Sequence, residues 1–251
     1  MPTSRARSFG AVAAAYAEHR PGYPAAALDW ALAPIAASEP RERTLLDLGA
    51  GTGKLTTGLL GRGTVIAVEP DPAMLAELRR RLPDVDAREG SAESIPLPTG
   101  SVDRVLVGQA WHWFDTGRAL PELARVLRPG GVLAALWNAD DHDVEWVAEL
   151  HRAARAAQPV PGVENSGVPP VFAAHDAFAP SESARFANPI RTGTEQLLAT
   201  LATHSWALVS EPGERDAAFA QIRAYLAERP ETSSGDFVLP MTTDVLRALR
   251  R

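Results

Sequence analysis

The residues best able to do chemistry stand close together in the first half of the chain. In LLDLGAGTGKLTTGLL, Leu45 to Leu60, an apolar run delivers Asp47 and then three glycines at alternate positions, Gly49, Gly51 and Gly53. A glycine has no Cβ, so a ligand can lie directly on the backbone. Such a loop admits a dinucleotide pyrophosphate, a nucleoside with no phosphate, or nothing beyond a tight turn. The dinucleotide fingerprint Gly-x-Gly-x-x-Gly needs its third glycine where this chain has Lys54. The spacing found, Gly-x-Gly-x-Gly, suits a flat nucleoside with an amino-acid tail, whose ammonium and carboxylate Asp47 and the loop amides can meet. Glu69 closes the next apolar run twenty positions after Gly49. A carboxylate there is placed to accept both hydroxyls of a ribose, in NAD or in another adenosine, and a solvated acid beside Pro70 is the plainer reading. Met74, one helical turn on, packs on the ribose or faces the core.

The elements that position these residues alternate along the chain. RTLLDLG, GTVIAVEP, VDAREG, SVDRVLVGQA and GGVLAALWN are short apolar or β-branched runs bounded by Gly, Pro or Asp, which predicts strands. Between them GKLTTGLLGR, DPAMLAELRRRLP and GRALPELARVLRPGG carry apolar residues at helical spacing. Asp71 stands at the N-cap position of the second helix with Pro72 at its first turn. Strand and helix in alternation predict a doubly wound parallel sheet. The second half reads differently: residues 139 to 193 hold six prolines and one clear helix, DVEWVAELHRAARAAQP, followed by irregular chain. Two amphipathic helices are predicted near Thr194 to Val209 and Pro212 to Arg229, and a last strand through DFVLPMTT.

Composition narrows the partners. The chain has 251 residues, a formal net charge of -6 and no cysteine. That balance argues against a broad basic face for nucleic acid, although Arg5, Arg7 and Arg20 make the start locally basic. The missing cysteines exclude a disulfide framework, a thiolate nucleophile and a Cys-ligated zinc site. No apolar run approaches the roughly 20 residues that span a bilayer, and the reading is a cytoplasmic protein with no membrane partner. His142 among Asp140, Asp141 and Asp143 invites a metal, but four adjacent polar residues read as a solvated turn, and no metal site is expected.

LLDLGAGTGKLT, VIAVEPDPAMLAELRRRLP, GSAESIPLPTGSVDRVLVGQAWHWFD and ALPELARVLRPGGVLAALWN together resemble the class I S-adenosylmethionine (SAM) dependent methyltransferases, in particular the small-molecule enzymes of the trans-aconitate and ubiquinone/menaquinone type. The ordered match runs from about Thr44 to Asn138; FGAVAAAYAEHRPGYP resembles the N-terminal segment of one subgroup, and the last 110 residues match loosely. The resemblance implies an α/β, doubly wound Rossmann-like fold with a mostly parallel seven-stranded sheet, an N-terminal helical cap and a helical insertion forming a lid. The pass along the chain reads as one domain over 1-251, with a cap at 1-30, a SAM-binding half at 40-138 and an acceptor-side half at 139-251, and two domains is the alternative. Asp47, Gly49, Ala50 and Gly51 would hold the methionine part of SAM, with Glu69, Pro70 and Met74 at its ribose. Ser91 and Ala92 would border the adenine, and Gln109 would close the site after the fourth strand. Family members usually carry an aspartate where this chain has Ser91, so Ser91, Glu93 or a backbone group must serve the adenine amino group. No Asn/Asp-Pro-Pro-Tyr motif follows the fourth strand, which argues against nucleobase and glutamine N-methylation; Asn188-Pro189 lies elsewhere.

The implied chemistry is transfer of the sulfonium methyl to O, N or C of a small acceptor, helped chiefly by holding the reacting atoms within about 3 Å. A hydroxyl, amine or carbon acid also needs a proton acceptor. His112, three residues past Gln109, is the candidate base or else an imidazole that packs its loop. Trp111, Trp113 and Phe114 are apolar walls, cation-π partners of the sulfonium, or core anchors. Tyr16 and Arg20 share a helix face, and Tyr23 follows in RPGYP, which must break the helix; the three form a lid over the acceptor, or an arginine beside packing tyrosines. His204 and Trp206 line the acceptor pocket or the core. Two other classes stay open at this point: a SAM-binding protein without methyl transfer, and an NAD-dependent oxidoreductase. Oligomeric state is not legible.

Overall fold

Five apolar runs of the first half become parallel strands in the computed structural model, which describes residues 20–33, 43–156, 172–203, 207 and 210–251. They are β1 (Thr44–Leu48), β2 (Thr64–Glu69), β3 (Asp86–Glu89), β4 (Val102–Gly108) and β5 (Leu127–Asp140), side by side in the order β3-β2-β1-β4-β5. Four helices cover them: α1 (Ala25–Leu32), α2 (Lys54–Leu59), α3 (Pro72–Arg81) and α4 (Thr116–Val126). With both sheet faces covered, the central strands are buried continuously instead of alternating. Leu45, Leu106 and Leu136 face Leu28 of α1 and Leu59 of α2, whereas Leu46, Val105 and Leu133 face Leu123 of α4. The strand order reverses between β1 and β4, and the crevice at their carboxyl ends is where such sheets take ligands.

The predicted start of α3 is realised. Asp71 Oδ1 accepts hydrogen bonds from the backbone N–H of Ala73 (2.8 Å) and Met74 (3.1 Å), and Pro72 fills the first helical position. Asp71→Ala is expected to cost about 1 kcal/mol, lowering Tm by roughly 2–4 °C in a melt. Below the sheet, fully buried Arg104 of β4 donates through Nε and Nη2 to the Leu32 carbonyl, fastening the end of α1; burial lowers its pKa to about 10.

The second half completes the sheet in a way the sequence pattern did not announce. The segment DFVLPMTT is two strands, β8 (Phe237–Leu239) and β9 (Met241–Leu249), because Pro240 has no N–H with which to continue a ladder. The β9 strand lies antiparallel between β5 and β6 (Glu182–Ala187), giving seven strands in the order β3-β2-β1-β4-β5-β9-β6. The expected irregular chain therefore contains an edge strand, and β6 escaped notice because it buries no side chain fully. The β8 strand pairs instead with β7 (Ile190–Thr192). These two strands pack with α5 (Glu145–Ala156), α6 (Thr194–Ala202) and α7 (Pro212–Glu228) around a separate cluster that includes Trp146, Leu150, Leu198, Ile222 and Phe237. Among the described residues no helix is long and apolar enough to cross a membrane.

Candidate active site

The turn between β1 and α2 distinguishes its glycines by what surrounds them. Gly49, Gly51 and Gly53 all adopt left-handed backbone, with φ of 70°, 56° and 88°. A Cβ on Gly49 would lie 2.8 Å from Cβ of Ala110, and one on Gly53 would lie 2.9 Å from Leu82 Cδ1. Those two positions are glycine because protein packs against them. A Cβ on Gly51 would meet nothing within 4 Å, so it is at Gly51 that the loop leaves room for a ligand. The loop amides are largely committed: Gly49 and Ala50 N–H donate to Val68 O, Gly53 N–H to Ala50 O, and Gly51 N–H to Glu69 Oε2.

The two acids predicted from spacing come to the same crevice. Asp47 is fully buried; its Oδ2 accepts the Thr56 hydroxyl at 2.6 Å, while Oδ1 has no partner among the described residues. Burial pushes its pKa up to about 7, against the opposing hydrogen bonds from Thr56. The Thr52 hydroxyl, 2% exposed, is likewise without a partner among them. A buried carboxylate oxygen and a buried hydroxyl left unmatched in the loop that carries Gly51 and at the strand end before it fit a ligand carrying an ammonium group. Glu69 Oε2 and Oε1 accept the N–H of Gly51 and Asp71, each at 2.8 Å, and each oxygen keeps a lone pair for a hydroxyl. Burial raises Glu69 to about 7 as well, with smaller contributions from the Asp71 and Asp47 charges. Met74 is buried on the first turn of α3 and Pro70 half-buried, and Ala50 packs inward with Ala67 and Leu78. Ser91 is half-buried in a backbone bridge with Ser94, and Ala92 belongs to the core. Glu93 Oε1 accepts the N–H of Asp115 at 3.0 Å, so that carboxylate is engaged in holding the start of α4.

The opposite wall is built at the ends of β4 and β5. Gln109 has φ 56°, rare for a residue with a Cβ, and its Nε2 donates to Asn138 O at 2.9 Å. Trp111 is 4% exposed and packs at a tilt against Phe114 and Phe172, which makes it the core anchor of the QAWHWFD turn. His112 stacks on Trp113 with ring centroids 4.6 Å apart. Its ring reaches solvent, yet enough protein surrounds it that desolvation lowers its pKa, and among the described residues nothing hydrogen-bonds to it. The Tyr23 hydroxyl lies over Gly108, where a Cβ would approach it to 2.5 Å. Arg20 donates from Nε to the Thr203 hydroxyl (3.0 Å) and from Nη2 to the Thr203 carbonyl (3.3 Å), joining this strap to the end of α6. Tyr16, His204 and Trp206 lie outside the described residues. His142 stacks on His151, and among the described residues no three His, Asp or Glu side chains converge as a metal site.

Comparison with known proteins accords with this arrangement. A family profile described as "Methyltransferase domain" matches residues 46–135. An uncharacterized methyltransferase of Mycobacterium tuberculosis is 43% identical over 244 residues, covering 96% of this chain and 95% of that protein. The chain belongs to the class I SAM-dependent methyltransferases. A solved structure described as a type II methyltransferase from Anaeromyxobacter dehalogenans matches the enzyme with a TM-score of 0.65 and 29% identity, over 92% of this chain and 97% of that one. The 2-methyl-6-phytyl-1,4-hydroquinone methyltransferase 2 of Oryza sativa is 38% identical over 116 residues, covering 44% of this chain and 33% of its own. The methyltransferase therefore transfers a methyl group from SAM, and the oxidoreductase reading loses its support.

Several residues of this site carry no sequence signal strong enough to single them out. Thr56 stands nine positions after Asp47, so only the placement of α2 brings its hydroxyl to the carboxylate. Asn138, Asn188 and Thr243 come from three parts of the chain: Asn138 Oδ1 accepts from Thr243 Oγ1 (2.6 Å) and Asn188 Nδ2 (3.1 Å), and both asparagines donate to Gly22 O. The Asn188-Pro189 pair is thus part of the seat for the N-terminal strap.

Proposed function

We propose that this methyltransferase acts on a small-molecule acceptor, at an oxygen, nitrogen or carbon atom, within a single domain over 1-251. In this reading residues 1-30 cap the site, 40-138 hold SAM, and 139-251 form the acceptor side with a lid. The observation that carries it is the seating of Tyr23 on Gly108, with Gly22 tied to Asn138 and Asn188, across the carboxyl end of β4 and β5. A strap seated across these strand ends suits a small acceptor better than a macromolecule. The net charge of -6 also weighs against a nucleic-acid acceptor. A shared cofactor half and a variable partner half is how a fold of this kind changes substrate. Among the relatives, one carries a hydroquinone in its name.

SAM supplies an electrophilic methyl on a sulfonium. In our assignment Asp47 and Thr52 receive its ammonium end beside Gly51, and Glu69 accepts the ribose hydroxyls with Pro70 and Met74 against that sugar. Ala50 supports the loop from the core side, Ser91 and Ala92 border the adenine, and Gln109 closes the wall by bonding β5. His112 and Trp113 line the acceptor side with Trp111 beneath them, and Arg20 and Tyr23 hold the strap. Desolvation lowers the pKa of His112, which favours the neutral form a base requires, but among the described residues it has no hydrogen-bond partner to fix its tautomer.

The test is transfer of labelled methyl from SAM to pooled small phenols, amines and carboxylic acids, in parallel with RNA, DNA and protein. Label in the small-molecule pools is expected; label confined to macromolecules would overturn the reading. Glu69→Gln keeps an acceptor oxygen and loses the charge, so its Kd for SAM is expected to rise about tenfold in calorimetry, roughly 1.4 kcal/mol. Wild-type affinity there would refute the ribose role.

A further inference from the structure

A second histidine, outside the QAWHWFD turn, has what His112 lacks. His151, on α5, places Nε2 2.5 Å from Oδ2 of Asp140, the last residue of β5. Both side chains are partly exposed, 26% for His151 and 18% for Asp140, so the pair is sheltered but reachable. Its ring also packs at a tilt against that of His142, with centroids 4.3 Å apart. A carboxylate only accepts, so Nε2 must carry the proton, which leaves the lone pair of neutral imidazole on Nδ1. No described residue hydrogen-bonds to Nδ1.

The location matters as much as the pairing. Asp140 lies two residues beyond Asn138, on the same face of β5, past the point where Gln109 bonds Asn138 O. It therefore stands at the carboxyl edge of the sheet. It is two strands over from the glycine loop, about 10 Å across at the usual strand spacing, and four residues past the level of Gly108, roughly 13 Å further along β5. An imidazole oriented by a carboxylate is the arrangement that activates a protic nucleophile.

We propose that His151 is the general base that takes the acceptor's proton, and that Asp140 is its positioning residue. The inference rests on the reading of 139-251 as the acceptor side. The acceptor atom bonds to the methyl carbon as the methyl–sulfur bond breaks, and that electron pair stays on sulfur. The proton leaves the acceptor for Nδ1, and the resulting imidazolium is held by Asp140. The acceptor class follows: a hydroxyl, an amine or an acidic C–H, since a carboxylate brings no proton to remove.

Two measurements test the proposal. Nitrogen-15 NMR of the histidine rings in the unliganded protein should show His151 as the neutral Nε2–H tautomer, with that preference lost in Asp140→Asn. A wild-type ring protonated on Nδ1 would overturn the assignment. With SAM and the pooled acceptors above, His151→Gln should lower kcat about a hundredfold or more at unchanged calorimetric affinity for SAM, and added imidazole should restore part of the activity of His151→Ala. An unchanged kcat, a matching loss of SAM affinity, or turnover of carboxylic acids alone would each refute it. Should the wild type methylate no small acceptor, the small-molecule reading fails, and the tautomer still decides the dyad.

Discussion

Gly51→Ala is expected to fold, with SAM affinity weakened a hundredfold or more, whereas Gly49→Ala is expected to fail first in stability. Both residues sit at positive φ, so an alanine at either position costs about 1–2 kcal/mol of backbone strain. What separates them is the next atom out. At Gly49 the new Cβ meets Ala110 at 2.8 Å, and the turn after β4, anchored by Trp111, would have to move. At Gly51 it meets nothing within 4 Å, so the unliganded protein takes no clash and the methyl occupies space meant for the ligand. A hundredfold loss corresponds to about 2.7 kcal/mol, the scale of one misplaced contact in a close-packed site. Thermal melts and calorimetry on both variants check this. Wild-type affinity in Gly51→Ala would mean that the ligand does not lie on this glycine.

That contrast also marks how far the sequence reaches. The three-glycine spacing, Asp47 and Glu69 identified the crevice because each sits at the end of a strand whose apolar run is plain in the sequence. The cap at Asp71 was equally legible, being a local matter of one side chain and two amides. What the sequence could not say was which glycine packs against protein and which stays open, since that depends on Ala110 and Leu82, far off in the chain. Strand β9 was only half visible for a related reason. TTDVLRALR is made largely of residues content in a helix, and its pairing with β5 and β6 decides the matter. The strap illustrates the same limit at the site: Arg20 and Tyr23 were picked out by type, but their partners Thr203 and Gly108 belong to elements that only the fold brings near.

Asp47→Asn should stabilise the unliganded protein at pH 8 while removing most of its affinity for SAM. The carboxyl is fully buried and its pKa rises from 3.8 to about 7, chiefly by desolvation. A raised pKa means that the folded state holds the proton more tightly than the unfolded chain does. The associated stability is therefore complete below about pH 4, declines as pH climbs, and is gone once pH passes about 7. Glu69, raised to about 7 from 4.5 mainly by desolvation, slopes the same way. A shift of this size corresponds to about 4 kcal/mol of burial cost for the ionised form at pH 8. Asparagine removes the charge and can still accept the Thr56 hydroxyl, though it leaves an N–H without a partner at a cost of about 1–2 kcal/mol. A net gain of about 2 kcal/mol should raise Tm by roughly 4–8 °C at pH 8 and by much less at pH 5. The bound state reverses the preference, because a ligand ammonium beside Oδ1 offsets the buried charge that penalises the empty fold. Affinity should therefore fall about a hundredfold in the variant, and wild-type affinity should itself weaken as pH drops below 7. Melts at pH 5 and 8 with calorimetry at pH 8 separate the cases. A lower Tm at pH 8 with unchanged affinity would make Asp47 an anchor for Thr56 alone, whereas a more stable protein that no longer binds would show that the crevice keeps a costly charge for its ligand.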